Sequence, residues 1–156
     1  MNLADFQQLC KDTCIALNHP DSNTLFLTNQ ITIDGITIGL FFDDFDMNDR
    51  LVCYVDIGEL PITDREEILE RMLAINLLTG SKVSGVYGLD RRRDCIIFTQ
   101  HFLYPDLLTG VELAEILKNY ATHAKGVQQT LMNPIRTESI EELLEDSLQT
   151  NSVALV

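Results

Sequence analysis

The spacing of apolar residues changes several times along the chain, and each change marks a boundary between predicted elements. Between residues 2 and 18, apolar side chains recur every three or four positions, which predicts an amphipathic helix. From 24 to 60 the period is two, in the segments TLFLT, QITID, ITIGLFF and LVCYVDI, which predicts strands. Asp34-Gly35 stands between two ITI segments and predicts a tight hairpin, because glycine tolerates positive φ.

In the second half of the chain, segments with helical spacing of apolar residues also alternate with segments of strand spacing. A helix is predicted from near Thr63 to Gly80, with apolar residues on more than one face. Such a helix is usually buried on both faces, and in a domain this small another subunit can cover the second face. SGVYGLD and DCIIFTQHF predict two strands around the turn 91–93, and another helix is predicted over 109–131. The order α-β-β-β-α-β-β-α predicts an α+β sandwich, in which three helices pack on a twisted, mostly antiparallel sheet.

The last residues of the chain differ from the rest in composition. Residues 135–156 carry a net charge of −4, from Arg136 against Glu138, Glu141, Glu142, Glu145 and Asp146. Apolar residues recur at helical spacing, at Ile140, Leu143, Leu144 and Leu148. We therefore predict one α+β domain over 1–134, followed by an acidic, partly helical C-terminal tail over 135–156.

Composition narrows the classes of function. The chain has 156 residues and a formal net charge of −13, so we expect one domain that nucleic acid does not bind directly. The N-terminal residues lack the pattern of a signal peptide, and no apolar run is long enough to insert into a membrane. Four cysteines within predicted helices and strands indicate a reducing compartment, so we expect a cytoplasmic protein.

Candidate chemical motifs are incomplete. Asp44, Asp46 and Asn48 imitate the first ligands of a calcium loop, but the glycine and glutamate that such a loop needs later are absent. Cys10 and Cys14 lie one helical turn apart, yet a zinc site needs three or four ligands and no Cys-x-x-Cys pair occurs. Nucleophile-elbow and phosphate-loop motifs are also absent. We therefore predict no catalytic residues, no metal and no cofactor.

Surfaces are more informative than motifs in this sequence. Residues 24–42 are apolar on both alternations, so one set of side chains can face the core while the other is exposed or covered by a helix. Exposed apolar patches mark partner sites, and an edge strand can accept an extended peptide. The three arginines at 91–93 form the one basic cluster, which is either a solvated hairpin tip or a docking point for an acidic segment of a partner or of the tail.

The order of elements and their apolar positions resemble class I type III secretion chaperones, the group that includes the Tir chaperone. The likeness covers about residues 1–131. It is carried by the segments LADFQQLCKDTCIAL, FLTNQITIDGITIGLFF, LVCYVDIGELP, EEILERMLAINLLTG, SGVYGLDRRRDCIIFTQHF and TGVELAEILKNYATHAKGVQQTL.

This resemblance implies a bacterial, cytoplasmic homodimer without a cofactor. Such a chaperone binds the N-terminal, largely extended segment of one or more effectors and keeps them soluble for export, with the secretion-system ATPase as a further candidate partner. The resemblance places effector contacts on Phe6, Leu9, Leu25, Phe26, Leu27, Ile31, Ile33 and Phe41. It places the dimer interface on the helix 64–79 and the strand 84–89, with Leu69, Met72, Leu73, Val86 and Tyr87.

Three other functions remain open from the sequence. An adaptor of the same fold would bind a folded partner and would not order an unfolded segment. A small enzyme would need a deep pocket with convergent polar groups. A nucleic-acid mimic would use its acidic surface to bind a basic protein, and salt would abolish that binding.

Overall fold

A computed structural model describes residues 1–43, 50–79 and 85–132. The helices are α1 (Leu3–Ala16), α2 (Thr24–Thr28), α3 (Arg65–Thr79) and α4 (Gly110–Met132), and one 3-10 turn occurs at Pro105–Leu107. The strands are β1 (Gln30–Ile33), β2 (Ile36–Asp43), β3 (Arg50–Glu59), β4 (Gly85–Asp90) and β5 (Cys95–Phe102). The predicted α+β order is confirmed, with one short helix added. The calcium-like segment, Gly80 and the tail 135–156 lie outside the described residues.

The strands form one antiparallel sheet in the order β1-β2-β3-β5-β4, so β1 and β4 are its edges. Asp34 and Gly35 form the predicted hairpin turn, with φ angles of 51° and 83° that suit a type I′ turn. In β3 the pairing with β5 shifts between Asp56 and Gly58. Gly58 takes a φ of 125° there, and its N–H donates to Asp56 Oδ1 at 3.0 Å. This bulge locally increases the twist of β3.

The segment TLFLT was predicted as a strand, and that prediction is wrong because it forms helix α2. The N–H of Asn23 donates to Asp21 Oδ1 at 2.9 Å just before the helix. Asn29 ends the helix in the left-handed conformation, with a φ of 53°, which asparagine tolerates because its short polar side chain can bond locally. Leu25 becomes fully buried. Local turn chemistry and the burial of one leucine therefore outweigh the β-favouring composition of these five residues.

Helix α4 begins as its sequence predicts. The N–H of Thr109 donates to Glu112 Oε2 at 2.9 Å, and the N–H of Glu112 donates to Thr109 Oγ1 at 3.3 Å. These two bonds are the reciprocal pair of a capping box, which satisfies backbone groups that the helix leaves free. Helix α3 begins at Arg65, two residues after Thr63.

Helices α1 and α4 pack together over one face of the sheet. Between them and the strands lies a core whose side chains are fully buried, including Leu40, Val55 and Leu117. Gly110 permits the close approach of the two helices, since a β-carbon there would lie 2.6 Å from the carbonyl carbon of Asp12. The helical layer therefore covers the inner face of the sheet and leaves the opposite face for other contacts.

The four cysteines belong to the buried part of the fold. Burial raises the pKa of Cys10 and of Cys53 to about 12. Because the thiolate is the reactive form, these two thiols are expected to be inert in the folded protein. Within the ranges that the structure describes, no group of three or more His, Cys, Asp or Glu side chains is placed to hold a metal ion.

The hairpin turn gives a test of local backbone energetics. We expect Gly35→Ala to destabilise the protein by about 1 kcal/mol, because the φ of 83° places a side chain in the left-handed region. Gly126→Ala is the matched control, since Gly126 lies within α4 and a β-carbon there meets no atom within 4 Å. That change should stabilise the protein by about 1 kcal/mol. Urea unfolding measures the free energy of unfolding of both variants, and equal changes in the two would contradict the assigned turn.

Candidate functional site

The outer face of the sheet, opposite α1 and α4, is the candidate functional site. Strand register brings its side chains into rows, in which Tyr54 stands between Gly39 and Thr99 and Ile97 stands between Asp56 and Gly88. The face is concave and encloses a volume of ≈ 790 Å³ that crosses the strands from β1 to β4. We call it the outer groove, lined by Phe41, Val52, Tyr54, Asp56, Ile97 and Thr99.

The floor of the outer groove is largely apolar, and its two aromatic rings are exposed. Phe41 and Tyr54 meet edge to face with ring centroids 5.4 Å apart, and they are 46% and 40% exposed. Gly39 lies under the Phe41 ring, where a β-carbon would come within 2.9 Å of Cε2. Gly88 leaves open space farther along the groove, since a β-carbon there would meet nothing within 4 Å. A floor of this kind can receive apolar side chains from a partner.

One end of the outer groove is charged but internally neutralised. Arg93 donates to Asp56 through Nη1 and to Asp90 through Nε, each at 3.0 Å. The hydrogen bond from Arg93 lowers the pKa of Asp90 below its usual range. Behind them, the guanidinium of Arg65 donates to both carboxylate oxygens of Asp94, at 2.7 and 2.6 Å. Asp56, Asp90 and Asp94 are thus salt-bridge partners within the protein, and Asp56 and Asp90 line the charged end of the groove.

Helix α3 lies beside the edge strand β4 and exposes a second apolar surface. The Asn76 side chain donates to the Tyr87 carbonyl at 2.9 Å and accepts from the Tyr87 N–H at 2.8 Å. Met72 is buried, whereas Leu73 and Leu77, one turn apart, are 69% and 84% exposed. The helix is therefore apolar on two sides. We call the exposed part the α3–β4 surface, defined by Leu73 and Leu77 together with Val86. Val86 pairs with Thr99, so it also stands at the β4 end of the outer-face row that contains Tyr54.

The eight residues predicted to contact an effector are divided between core and surface. Phe6, Leu9, Leu25 and Ile31 are buried. Phe26 and Ile33 are half-buried against the core. Leu27 and Phe41 are exposed. The Phe6 ring stacks on Phe42 with centroids 5.4 Å apart, so it supports the protomer itself. Of the eight, Phe41 alone lines the outer groove, and the effector contacts stay a prediction.

The five residues predicted at a dimer interface lie around α3 and β4. Leu73 and Val86 are exposed and belong to the α3–β4 surface, while Met72 is buried. Leu69 and Tyr87 are half-buried against the core. Tyr87 also contacts His123 of α4 through its hydroxyl group, and burial raises its pKa to about 12. Their role between two protomers stays a prediction.

Sequence reasoning missed most of the outer groove. Val52, Tyr54, Ile97 and Thr99 lie in strands that were predicted correctly, but no role was assigned to them. The available signal was the segment LVCYVDI, which is apolar on both alternations, as the segment 24–42 is. In such a strand one set of side chains must leave the core, and here that set forms the groove floor.

The described helices also bear on the relation of the chain to membranes. None of the helices within 1–43, 50–79 and 85–132 is both long and apolar enough to cross a bilayer.

Comparison with known proteins gives a family and a shared fold. A profile of the Tir chaperone protein (CesT) family matches residues 46–128. A chain of the ExsC–ExsE complex has a TM-score of 0.63 and 17% identity, over 83% of this chain and 95% of that chain. A chain of the HopA1–SchA chaperone–effector complex has a TM-score of 0.56 and 16% identity, over 83% and 98%. No curated protein sequence matches this chain.

Proposed function

Since the chain belongs to the Tir chaperone protein (CesT) family, we propose that it is a cytoplasmic type III secretion chaperone. It binds the N-terminal, largely extended segment of one or more effectors and keeps them soluble and competent for secretion. The observation that carries this proposal is the outer groove, an apolar concave face that the described helices leave uncovered. The chaperone–effector complex among the similar structures agrees with this function.

Apolar anchoring suits the binding of an unfolded segment. An extended chain loses conformational entropy when it is ordered, so it needs a large contact surface to gain net affinity. The exposed rings of Phe41 and Tyr54 offer contact area that is already ordered, because each ring packs against the other. The open space beside Gly88 receives a further side chain from the effector.

Backbone pairing at β1 adds to this contact. β1 and β4 are the two edges of the sheet. On β4, the N–H and carbonyl of Tyr87 already bond to the Asn76 side chain. The edge of β1 is therefore the better place for an effector strand, which would extend the sheet beside the outer groove.

The active form in this proposal is a homodimer. The α3–β4 surface exposes Leu73 and Leu77 to solvent in one protomer, and a second copy would bury them by symmetry. A dimer also provides two outer grooves for one effector segment. Delivery of the bound effector to the secretion-system ATPase completes the proposed role, which is one of binding without catalysis or a cofactor.

Affinity capture of the tagged full chain from its own bacteria tests the function. We expect a secreted protein to be captured in stoichiometric amount and its N-terminal part to resist protease only in the complex, because ordering in the groove shields the backbone from cleavage. Mass spectrometry of the captured protein and of its fragments is the measurement.

The other outcomes are distinct. A captured partner whose protease pattern is the same when free would show an adaptor for a folded protein. A partner released by moderate salt and basic in composition would show a nucleic-acid mimic. Capture of no secreted protein would contradict the proposed function.

A further inference from the structure

The tip of the β4–β5 hairpin carries two arginines whose charges the described structure leaves unpaired. Arg93 is bonded to Asp56 and Asp90. Arg91 and Arg92 are exposed, and among residues 1–43, 50–79 and 85–132 their side chains form no ion pair. In a chain of net charge −13, two adjacent cations without an ion-pair partner among the described residues can attract an acidic segment.

Helix α4 delivers the rest of the chain to the same end of the sheet. Lys125 forms an ion pair with Asp34 in the β1–β2 turn at 3.6 Å. The register pairs Ile33 with Ile36 beside that turn and Asp90 with Cys95 beside the arginine tip, and the antiparallel order places both turns at one sheet end. After Met132, residues 133–156 can extend about 80 Å. The tail can therefore reach the outer groove of its own chain.

The sequence of the tail complements the charge and the apolar floor of this site. At helical spacing, one face of residues 138–148 is apolar and the other acidic. The apolar face is formed by Ile140, Leu143, Leu144 and Leu148. An 11-residue helix is about 16 Å long, which matches the roughly 19 Å width of five paired strands. The segment is thus of a length to lie across the groove from β1 to β4.

We propose that residues 138–148 dock in the outer groove of their own chain, with the apolar face on Phe41 and Tyr54 and the carboxylates beside Arg91 and Arg92. Docking covers the exposed apolar floor when no partner is present. It also makes the tail a competitor for any effector that uses this groove. The competition rests on the proposed function, whereas the docking does not.

Paramagnetic relaxation tests the docking in the full-length protein. Gln149→Cys, on the polar side just beyond the proposed docking segment, gives a single accessible thiol for a nitroxide maleimide, because all four native cysteines are buried. We expect amide signals of Arg92 and Thr99 to lose intensity several-fold, while those of Gln7 and Lys11, on exposed positions of α1, keep theirs. Unchanged signals at Arg92 and Thr99 would overturn the proposal.

Charge reversal tests the role of the arginines. Arg91→Glu with Arg92→Glu should restore the lost intensity, and adding Glu141→Lys with Glu142→Lys should bring the broadening back. Lys11→Glu with Lys118→Glu is the matched control, since both lysines are exposed and form no ion pair with another described residue. This control should leave the broadening unchanged, and an equal effect of both reversals would reject a specific site.

A mixing experiment separates the two possible grooves. Nitroxide-labelled protein without ¹⁵N is mixed with ¹⁵N protein that carries no nitroxide. The amide signals of the ¹⁵N protein should not broaden, because docking is within one chain. Broadening there would assign the tail to a second copy and overturn the proposal.

The competition with an effector is tested separately. Leu143→Ser with Leu144→Ser should raise effector affinity several-fold. Docking without any effector binding would leave this inference standing while the proposed function fails.

Discussion

Replacing both Leu73 and Leu77 with aspartate is expected to convert the proposed dimer into folded monomers. The two side chains are 69% and 84% exposed in the protomer, so their loss removes little from its own core. Burying a leucine contributes about 1.5 kcal/mol or more, and a two-fold interface contains each residue twice. The association constant should fall by about 10⁴, which corresponds to about 6 kcal/mol. Sedimentation velocity of both proteins measures this change.

The matched control replaces two equally exposed apolar residues on another part of the surface. Leu103 and Leu107, near the 3-10 turn, are 78% and 76% exposed. Leu103→Asp with Leu107→Asp should leave the dimer intact, and circular dichroism should show native helix content in both variants. A wild-type monomer, or a dimer that survives the α3 substitutions, would contradict the proposed interface. Leu77→Asp alone serves if the double variant unfolds.

The elements that the sequence predicts well are those whose signals are local and redundant. The β1–β2 hairpin follows from Asp34-Gly35, because the backbone conformation of a type I′ turn selects these residue types. Helix α4 follows from a continuous apolar stripe and from the capping pair of Thr109 and Glu112. In both cases the spacing of the apolar residues and the residues that end the element predict the same structure. Tertiary contacts therefore do not oppose the local preference.

The prediction failed where period and turn chemistry disagreed. TLFLT has the composition of a strand, but Asn23 and Asn29 flank it, and only Leu25 needs to be fully buried. Five residues are too few for a helical period to show. The spacing of apolar residues therefore does not predict a single helical turn that buries one leucine beneath α1. The one available signal was Asn29, a residue type that often takes a left-handed φ.

The candidate site was harder to predict than the fold because it depends on which face of the sheet the helices cover. Alternation across residues 24–42 indicated two apolar sets, but sequence alone does not assign α1 and α4 to one side. The structure places Leu40 and Val55 under the helices and Phe41 and Tyr54 on the open face. Phe41 was predicted through the family resemblance, and Tyr54 follows only from the register that joins the strands.

Tyr54→Asp is expected to abolish most effector binding while the protein stays folded and dimeric. Tyr54 stands in the middle of the outer groove, between Gly39 and Thr99, and it packs edge to face with Phe41. Aromatic residues at the centre of an interface commonly contribute 2 kcal/mol or more, so affinity should fall at least about 30-fold. Calorimetric titration with the N-terminal segment of the captured effector gives the dissociation constant for both proteins.

Leu27→Asp is the comparison that decides between the groove and the surface predicted from the sequence. Leu27 is 71% exposed and lies on α2, outside the residues that line the groove. If the groove holds the effector segment, this variant should bind within a few-fold of wild type. An equally large loss in Leu27→Asp with little change in Tyr54→Asp would move the site to α2. In that case the effector would run along the surface of the helical layer, and the open sheet face would be left to the tail alone.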